Sequence, residues 1–302
     1  MHVLVTGATG FVGAHVCRAL KQKGFVITAL TRRPPASLAS YPWIDRAFQW
    51  DPTQGLPPLD AFHKVDGVVH LAGESVAGRW TEAKKRAIAE SRTIGTRNLV
   101  TAMQRLDSPP RVLVSASAIG YYGDRADERL TEKSAPGSDF LAGVCQAWEH
   151  EATRARTDRT RVVPIRFGLI LGKGGGVMGK LLPLYRLGLG GPLGAGRQWW
   201  SWIHIDDVVG MIHFGLRNDV DEPLCGTAPN PVRQREFAHE LAKILRRPAV
   251  IPAPTFALQL ALGEFSVELL SSKRVLPDRA RKLGYAFTYP KLGKALSSLV
   301  GK

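Results

Sequence analysis

The stretch Val5-Thr6-Gly7-Ala8-Thr9-Gly10-Phe11-Val12-Gly13 decides the fold of this chain. It follows a short apolar run and opens a segment whose apolar residues recur at helical spacing. A strand, three glycines spaced three residues apart and an amphipathic helix form a dinucleotide-binding unit. Glycine is needed because the turn is tight and the backbone must approach a pyrophosphate that faces the N–H groups of the helix. The predicted cofactor contacts in this stretch are Gly7, Thr9, Gly10, Phe11, Val12 and Gly13.

Short apolar runs alternate with helical patterns over about 170 residues beyond this turn. The predicted strands are 25–30, 65–71, 111–115 and 162–166, and the predicted helices are 81–106 and 140–156. This alternation indicates an α/β fold, a Rossmann-type doubly wound parallel sheet. Glycine-rich stretches at 172–176 and 188–196 are typical of loops, and the alternation of strands and helices changes there. We therefore expect an NADP-binding Rossmann domain over 1–172, to which the chain returns at about 200–226, and a smaller substrate-capping C-terminal domain over 173–302.

The composition excludes several classes of protein. The chain has 302 residues, of which 44% are hydrophobic and 22% charged, as in ordinary globular proteins. Three cysteines, Cys17, Cys145 and Cys225, show neither a disulfide framework nor zinc-ligand spacing. No apolar run approaches the roughly 20 residues of a membrane span. The chain enters a strand at His2, which leaves no room for a targeting peptide. We expect a cytoplasmic protein.

The charge is unusual, because 41 Lys and Arg residues against 26 Asp and Glu residues give +15. Nucleic acid, an anionic membrane face, a phosphate-rich small molecule or a compositional habit of the lineage would each account for it. The basic residues are dispersed, and no nucleic-acid-binding signature accompanies them. We expect a small-molecule partner and neither nucleic acid nor membrane. A homodimer is compatible with the sequence.

The end of the second strand indicates which cofactor binds. An acidic residue there would recognise the ribose 2′-hydroxyl of NAD, whereas Leu30-Thr31-Arg32-Arg33 contains none. Two guanidinium groups suit a 2′-phosphate, so we predict NADP (NADPH) at Thr31, Arg32 and Arg33, with solvated arginines as the alternative. Asp51 is either a partner for the adenine amine or a surface aspartate. Leu71, Ala72 and Gly73 are expected to line the ribose.

The opening stretch resembles that of the extended short-chain dehydrogenase/reductases, the group that contains nucleotide-sugar epimerases and dehydratases. Further segments narrow the resemblance to one atypical, epimerase-like branch with a C-terminal domain of unknown function. These segments are Leu71-Ala72-Gly73-Glu74, Ser91-Arg92, Gly95-Thr96, Ser115 to Asp124, Gly188 to Gly194, Trp200 to Asp207, Ala228 to Pro231, Leu262 to Glu264, Arg274 to Pro277 and Leu283 to Tyr285. The resemblance covers essentially the whole chain and implies no particular substrate.

The family's Tyr-x-x-x-Lys pair is missing, since no tyrosine here has lysine four residues later. Lysine lowers the pKa of the tyrosine by roughly 3 units so that it can act at neutral pH. In the corresponding helix, Val144 and Trp148 or Cys145 and Glu149 replace the pair. The resemblance implies that Ser117 supplies a hydroxyl to the substrate, although a capping serine is an equal alternative. Tyr121, Tyr122 and Glu149 are further catalytic candidates, with aromatic packing and a solvated glutamate as the alternatives.

Substrate contacts are predicted from the same resemblance. The candidates are Glu74, Arg166, Arg197, Trp199 and Trp200. The tryptophans offer stacking faces and Arg197 a phosphate contact. Arg92 stands where relatives carry asparagine, so it would hold the cofactor phosphate or an anionic substrate. His204, Asp206 and Asp207 suggest a metal site at first, but we expect no metal there and assign Asp206 as a helix cap.

Two functions follow from these residues. The first is an NADP-binding, epimerase-like oxidoreductase acting on a carbonyl or carbinol carbon of a small phosphorylated or nucleotide-linked molecule. The alternative is a non-catalytic NADP-binding sensor or scaffold, which the missing Tyr-x-x-x-Lys pair favours. Whether the chain is an enzyme stays open at this point.

Overall fold

A computed structural model describes residues 1–249 and 251–300 of the chain. Its strands are β1 (His2–Thr6), β2 (Val26–Thr31), β3 (Arg46–Gln49), β4 (Gly67–His70), β5 (Val112–Ala118), β6 (Arg129–Leu130), β7 (Arg161–Phe167), β8 (Leu169–Leu171), β9 (Trp199–Trp200), β10 (Trp202–His204), β11 (Leu224–Gly226), β12 (Val232–Arg233) and β13 (Arg274–Val275). Its helices are α1 (Phe11–Gln22), α2 (Glu82–Gln104), α3 (Phe140–Thr153), α4 (Gly176–Arg186), α5 (Ile205–Arg217), α6 (Gln234–Leu245), α7 (Thr255–Leu262), α8 (Phe265–Leu270), α9 (Asp278–Lys282) and α10 (Leu292–Val300).

Seven parallel strands form the central sheet in the order β11-β7-β5-β4-β1-β2-β3. The predicted Rossmann-type doubly wound fold is therefore confirmed. The strand order changes direction between β1 and β4, and ligands of such sheets bind beyond the carboxyl ends of the strands at this point. β11 is an edge strand of the sheet, in the region where we expected the chain to return.

The two faces of the sheet bury separate apolar layers. In β1, Val3 and Val5 face a layer that includes residues of α1 and α5, whereas Leu4 faces the α2 layer that includes Leu99. This alternation follows from the two-residue period of a strand. Burial of a side chain of this size stabilises the fold by about 1.5–3 kcal/mol. The two layers hold the strand ends in fixed positions.

A third apolar cluster forms a smaller unit beside the sheet. Residues of α4, α6 and α10 pack there around Trp202, which is fully buried. The helix α5 begins one residue before the predicted cap. His204, not Asp206, is its N-cap, because the His204 Nδ1 accepts a hydrogen bond from the Asp206 N–H at 3.1 Å. The prediction that Asp206 caps this helix was wrong.

No helix in the described part of the chain is both long enough and apolar enough to cross a lipid bilayer.

Candidate functional site

A cleft of about 510 Å³ opens beyond the carboxyl ends of β1, β2 and β4. We call it the strand-end cleft. Of the predicted site residues, it is lined by Gly7, Thr9, Gly10, Thr31, Arg32, Arg33, Asp51, Leu71, Ala72, Gly73 and Glu74. Its size is in the range of small-molecule and cofactor sites. The structure thus brings together, on one concave surface, most residues that were chosen from four separate segments.

The glycine turn has the geometry that its sequence indicated. Gly7 has a φ of +69°, and a Cβ there would lie 3.0 Å from the Ala72 nitrogen. A Cβ on Gly13 would lie 2.1 Å from the Gly7 oxygen, so only glycine lets α1 pack this closely on the turn. Gly10, the N-cap of α1, supplies no side chain to the first N–H groups of the helix. Those groups can face an anion.

Phe11, Val12 and Gly13 do not line the strand-end cleft. The Phe11 ring packs instead on the glycine-rich loop, where a Cβ on Gly172 or Gly175 would lie 2.7 Å or 2.5 Å from ring atoms. Val12 packs against the apolar layer around α1. Their side chains therefore support the turn, and any cofactor contact they make is through the backbone.

The neighbouring strand ends are joined by a buried polar chain that the sequence analysis missed. The Thr6 Oγ1 accepts hydrogen bonds from the N–H groups of Leu71 and Ala72, at 3.1 Å and 3.0 Å. It also lies 2.7 Å from the His70 Nδ1, while the His70 Nε2 lies 3.0 Å from the Thr96 Oγ1. Because Thr6 already accepts two hydrogen bonds, its hydroxyl donates to Nδ1, and the neutral His70 carries its proton on Nε2.

This chain fixes the turn that lines the cleft. Burial, followed by the charge of Arg92, lowers the pKa of His70 to about 4, so the neutral form is maintained. The sequence contained a signal for this contact, because Thr6 and His70 are polar residues that each end an apolar strand. The carboxyl ends of neighbouring parallel strands lie side by side, so two such residues can meet there.

Arg32 and Arg33 are exposed at the mouth of the cleft, directly after β2. Within the described residues, neither guanidinium group has a hydrogen-bond or ion-pair partner. The Arg33 backbone N–H donates to the Thr31 Oγ1 at 3.1 Å, which holds the turn that carries both side chains. Both guanidinium groups are available to an anion.

Asp51 and Glu74 lie on opposite sides of the same cleft. The Asp51 Oδ1 accepts hydrogen bonds from the N–H and hydroxyl of Thr53, so Asp51 holds a turn as well as facing the cleft. Glu74 accepts a hydrogen bond from the Lys84 Nζ at 2.6 Å. This hydrogen bond lowers the pKa of Glu74, although partial burial opposes the shift. An ionised Glu74 suits a sugar hydroxyl better than a phosphate.

Arg92 lies behind the cleft and does not line it. Its guanidinium group donates to the carbonyl oxygens of Glu74 and Ile88, at 3.0 Å and 3.1 Å, and lies over the Trp148 ring. A Cβ on Gly73 would come within 3.3 Å of it. Arg92 therefore supports the segment that carries Gly73 and Glu74, and a direct phosphate contact stays a prediction.

A buried network joins the catalytic candidates. The Ser117 hydroxyl donates to the Glu149 Oε1 at 2.6 Å, and Arg166 forms two hydrogen bonds of 2.8 Å with the Glu149 carboxylate. Arg166 also donates to the Tyr122 hydroxyl oxygen at 2.9 Å, and that hydroxyl donates to the Thr131 carbonyl. Glu149, one of the two residues that could replace the usual lysine, thus anchors a buried ion pair between α3 and β7.

This network changes the roles of three predicted residues. Tyr122 is 0% exposed, and burial raises its pKa above the usual range, so it does not reach a substrate or act as a base here. Arg166 is 4% exposed, and Glu149 neutralises it. Burial alone would lower the pKa of Arg166, but its contacts with Glu149 raise it. The predictions that Tyr122 and Glu149 are catalytic and that Arg166 binds the substrate were therefore wrong. These three side chains are buried and support the site instead.

Tyr121 is the catalytic candidate that remains accessible. It is partly buried, and the Arg166 guanidinium carbon lies 3.5 Å from the centre of its ring. Its hydroxyl has no hydrogen-bond partner among residues 1–249 and 251–300. The adjacent Tyr122 ring packs edge-on against it. The buried network thus holds the Tyr121 ring from behind and leaves its hydroxyl available.

A second cleft, of about 570 Å³, lies where the smaller unit meets the loop after β5. We call it the arginine cleft, because Arg197, Arg233 and Arg235 line it together with Asp124 and Asp127. Arg233 is paired with Asp127 at 2.7 Å. Arg197 and Arg235 are exposed, and their guanidinium groups have no partner in the described part of the structure. The cleft therefore offers two free positive charges beside a neutralised pair.

Trp199 and Trp200 follow the cleft residues Arg197 and Gln198 along the chain, do not line the arginine cleft themselves, and have different surroundings. Trp199 is partly buried and donates from Nε1 to the Asp127 carboxylate, and the guanidinium groups of Arg233 and Arg274 lie over its ring. Trp200 is buried against Phe237 in the core of the smaller unit. The predicted stacking of Trp200 on a substrate is corrected to core packing, because its ring faces other apolar side chains.

The described residues contain no group of three His, Cys, Asp or Glu side chains that could hold a metal ion. His204 and Asp207 are committed to the protein itself. The Asp207 carboxylate accepts hydrogen bonds from the N–H groups of Thr288 and Tyr289, at 2.8 Å and 2.9 Å. The His204 Nε2 lies 3.2 Å from the Ser298 hydroxyl.

Comparison with known families gives two matches. Residues 3–224 match the NAD dependent epimerase/dehydratase family, and residues 253–299 match a domain of unknown function (DUF1731). The chloroplastic homolog of epimerase family protein SDR39U1 from Arabidopsis thaliana is 38% identical over 99% of this chain and 87% of its own length. Epimerase family protein YfhF from Bacillus subtilis is 36% identical over 99% of this chain and 98% of its own.

Solved structures give the same relationship. The crystal structure of human epimerase family protein SDR39U1 with NADPH matches with a TM-score of 0.88 and 35% identity, over 99% of each chain. MoeE5 in complex with UDP-glucose and NAD matches with a TM-score of 0.78 at 22% identity, which shows a shared fold alone.

Proposed function

The chain belongs to the NAD dependent epimerase/dehydratase family and carries the C-terminal domain that its motifs indicated, and from this premise we propose that it is an NADPH-binding oxidoreductase. The proposed substrate is a small phosphorylated or nucleotide-linked molecule with a carbonyl or carbinol carbon. The observation that carries the proposal is the strand-end cleft, where two arginines without a partner among the described residues follow β2 beside the glycine turn.

The residues of the cleft fit NADPH. The N–H groups at the start of α1 suit the diphosphate, and Arg32 and Arg33 suit the 2′-phosphate, where a carboxylate would repel it. Asp51 stands on the side of the cleft suited to the adenine amine, and Ala72 and Gly73 leave room for a ribose. Human SDR39U1, which is 35% identical, was crystallised with NADPH, and this supports the same choice here.

The bound nicotinamide would supply the hydride chemistry, and the chain would position the substrate and move a proton. Tyr121 is the residue we assign to the proton, because its hydroxyl is free while its ring is held by Arg166. The buried pairing of Arg166 with Glu149 keeps the guanidinium in place behind the ring. Arg197 and Arg235 in the arginine cleft would bind the anionic part of the substrate.

The cofactor assignment is tested by calorimetric titration with NADPH, NADP, NADH and NAD. Arg32→Ala combined with Arg33→Ala should weaken NADPH binding by about 100-fold or more, because each charge-assisted hydrogen bond contributes about 1.5–3 kcal/mol. Binding of NADH should change little, since it lacks the 2′-phosphate. Arg105→Ala with Arg111→Ala, two exposed arginines between the end of α2 and the start of β5, is the matched control. Equal loss for both cofactors, or no binding of any dinucleotide, contradicts the assignment.

Turnover distinguishes the enzyme from the sensor or scaffold that the missing Tyr-x-x-x-Lys pair favours. Oxidation of NADPH is followed by its absorbance with phosphorylated carbonyl compounds, and reduction of NADP is followed in the same way with phosphorylated carbinols and nucleotide-linked sugars. We expect Tyr121→Phe to abolish turnover while the affinity for NADPH is retained. Tight NADPH binding without turnover on any such compound supports the non-catalytic alternative.

We also propose that the protein works in a reducing compartment such as the cytoplasm. All three cysteines are buried and unpaired in the structure, as expected for proteins whose thiols stay reduced. The relative from Arabidopsis thaliana is named as chloroplastic.

A further inference from the structure

A strip of exposed apolar side chains crosses the smaller unit, away from the residues assigned to the cofactor. It is formed by Leu184 of α4, Leu187 and Leu189 directly after this helix, Ile251 between α6 and α7, and Phe256 and Leu260 of α7. We call it the apolar strip. Leu187, Phe256 and Leu260 are 74%, 72% and 77% exposed. Large apolar side chains exposed to this degree in one place mark an interaction surface.

Backbone contacts place the two chain segments that carry the strip side by side. A Cβ on Gly188 would lie 3.6 Å from the Pro248 ring, and a Cβ on Gly191 would meet the Ile251 backbone. The Gly194 N–H donates to the Ala253 carbonyl at 2.9 Å. The chain from 187 to 194 therefore runs alongside the segment that leads into α7.

The helix α7 has no buried residue, although six of its eight residues are apolar. Phe256 and Leu260 are four residues apart, which places them on one face. The sequence from 248 to 263 contains no charged residue. An apolar helix that is not covered by its own domain loses the burial that normally stabilises such a segment.

The two chain segments that carry the strip are basic, although Glu240 and Glu264 flank the second of them. Residues 173–205 contain Lys173, Lys180, Arg186 and Arg197 and no Asp or Glu, and residues 241–263 contain Lys243, Arg246 and Arg247 and no Asp or Glu. Lys180, Leu184 and Leu187 share a face of α4 at helical spacing, and all three are exposed. The basic residues that looked dispersed along the chain thus include a patterned group beside the strip.

We propose that the apolar strip docks on an anionic phospholipid surface. Exposed Leu and Phe side chains enter the boundary of a bilayer while neighbouring Lys and Arg side chains contact its phosphates. A second copy of this chain fits less well, since a two-fold interface would oppose the same positive groups. Such docking is peripheral and needs no membrane-spanning helix. This proposal departs from our expectation, based on the sequence, that the protein has no membrane partner.

Flotation with vesicles tests the proposal. The full chain should float with vesicles of phosphatidylglycerol and phosphatidylcholine in equal parts and not with phosphatidylcholine alone, and added salt should weaken binding. Phe256→Ser with Leu260→Ser should reduce binding about tenfold or more, because both side chains are exposed in the free protein and their apolar area is lost. Leu59→Ser, an exposed leucine of the larger domain, is the matched control.

Two double charge reversals test whether membrane binding depends on the basic residues beside the strip or only on the net charge of the protein. Lys180→Glu with Arg186→Glu should reduce binding at least about tenfold, whereas Arg105→Glu with Arg111→Glu, which changes the net charge equally, should reduce it much less. Equal effects of the two pairs, or wild-type binding by the Phe256 and Leu260 variant, overturn the proposal. A dimer in sedimentation velocity that the Phe256 and Leu260 changes dissociate overturns it in favour of self-association.

Discussion

His70 illustrates what a single buried side chain does in this protein. It is fully buried at the end of β4, and its two ring nitrogens are each within hydrogen-bond distance of a threonine hydroxyl. Through Thr6 it orders the N–H groups of Leu71 and Ala72 at the cofactor cleft. Protonation would remove the acceptor that the Thr6 hydroxyl needs, so the geometry depends on the neutral ring.

We expect this histidine to make the stability depend on pH. Its pKa is about 4 in the folded protein against about 6.5 when unfolded, so its stabilisation is complete above about pH 6.5 and is lost as the pH falls toward 4. The free energy of unfolding in urea should fall about 2 kcal/mol more in the wild type than in His70→Gln between about pH 7.5 and 5. His63→Gln, at an exposed site, should retain the wild-type dependence. An unchanged dependence in His70→Gln would contradict this assignment.

Gly13 of α1 and Gly143 of α3 are both helical glycines, but the space around them differs sharply. In α1, Gly13 faces the oxygen of Gly7, whereas in α3 a Cβ on Gly143 would meet nothing within 4 Å. Both positions are helical, so intrinsic propensity favours alanine equally at each. The difference lies in packing: α1 must approach the glycine turn closely enough for its first N–H groups to reach the cleft.

Alanine substitutions at these two positions should therefore have opposite effects. Gly13→Ala should lower the free energy of unfolding by about 1–3 kcal/mol and abolish NADPH binding, because the turn must shift to admit the methyl group. Gly143→Ala should raise that free energy by about 0.5–1 kcal/mol and leave binding intact. Chemical denaturation and calorimetry measure both. A Gly13→Ala variant that binds NADPH normally would disprove the close-packing argument.

At the scale of the whole molecule, one carboxylate joins the C-terminal segment to the helix α5. Asp207 is fully buried and accepts hydrogen bonds from the backbone of Thr288 and Tyr289 and from the Tyr285 hydroxyl. Burial raises the pKa of Asp207, although these hydrogen bonds oppose the shift. The adjacent Asp206 is exposed and makes no such connection.

This pair of aspartates provides a matched test of how the C-terminal segment is held. Asp207→Ala should leave the two backbone N–H groups without an acceptor, destabilise the fold by about 2 kcal/mol or more, and speed hydrogen exchange at Thr288 and Tyr289. Asp206→Ala should change the free energy of unfolding by less than about 1 kcal/mol and leave exchange at those amides slow. Similar exchange in both variants would show that other contacts hold the segment.

The sequence by itself determined the features that depend on neighbouring residues. The glycine turn, the alternation of strands and helices, the arginines after β2 and the missing Tyr-x-x-x-Lys pair are all visible along the chain, because local backbone geometry and side-chain period produce them. Tertiary structure alone decided which polar groups are neutralised. The Glu149–Arg166 pair and the Thr6–His70 chain join residues of different elements, and their burial and pairing depend on how whole layers pack. The apolar strip likewise depends on which side chains those layers leave uncovered.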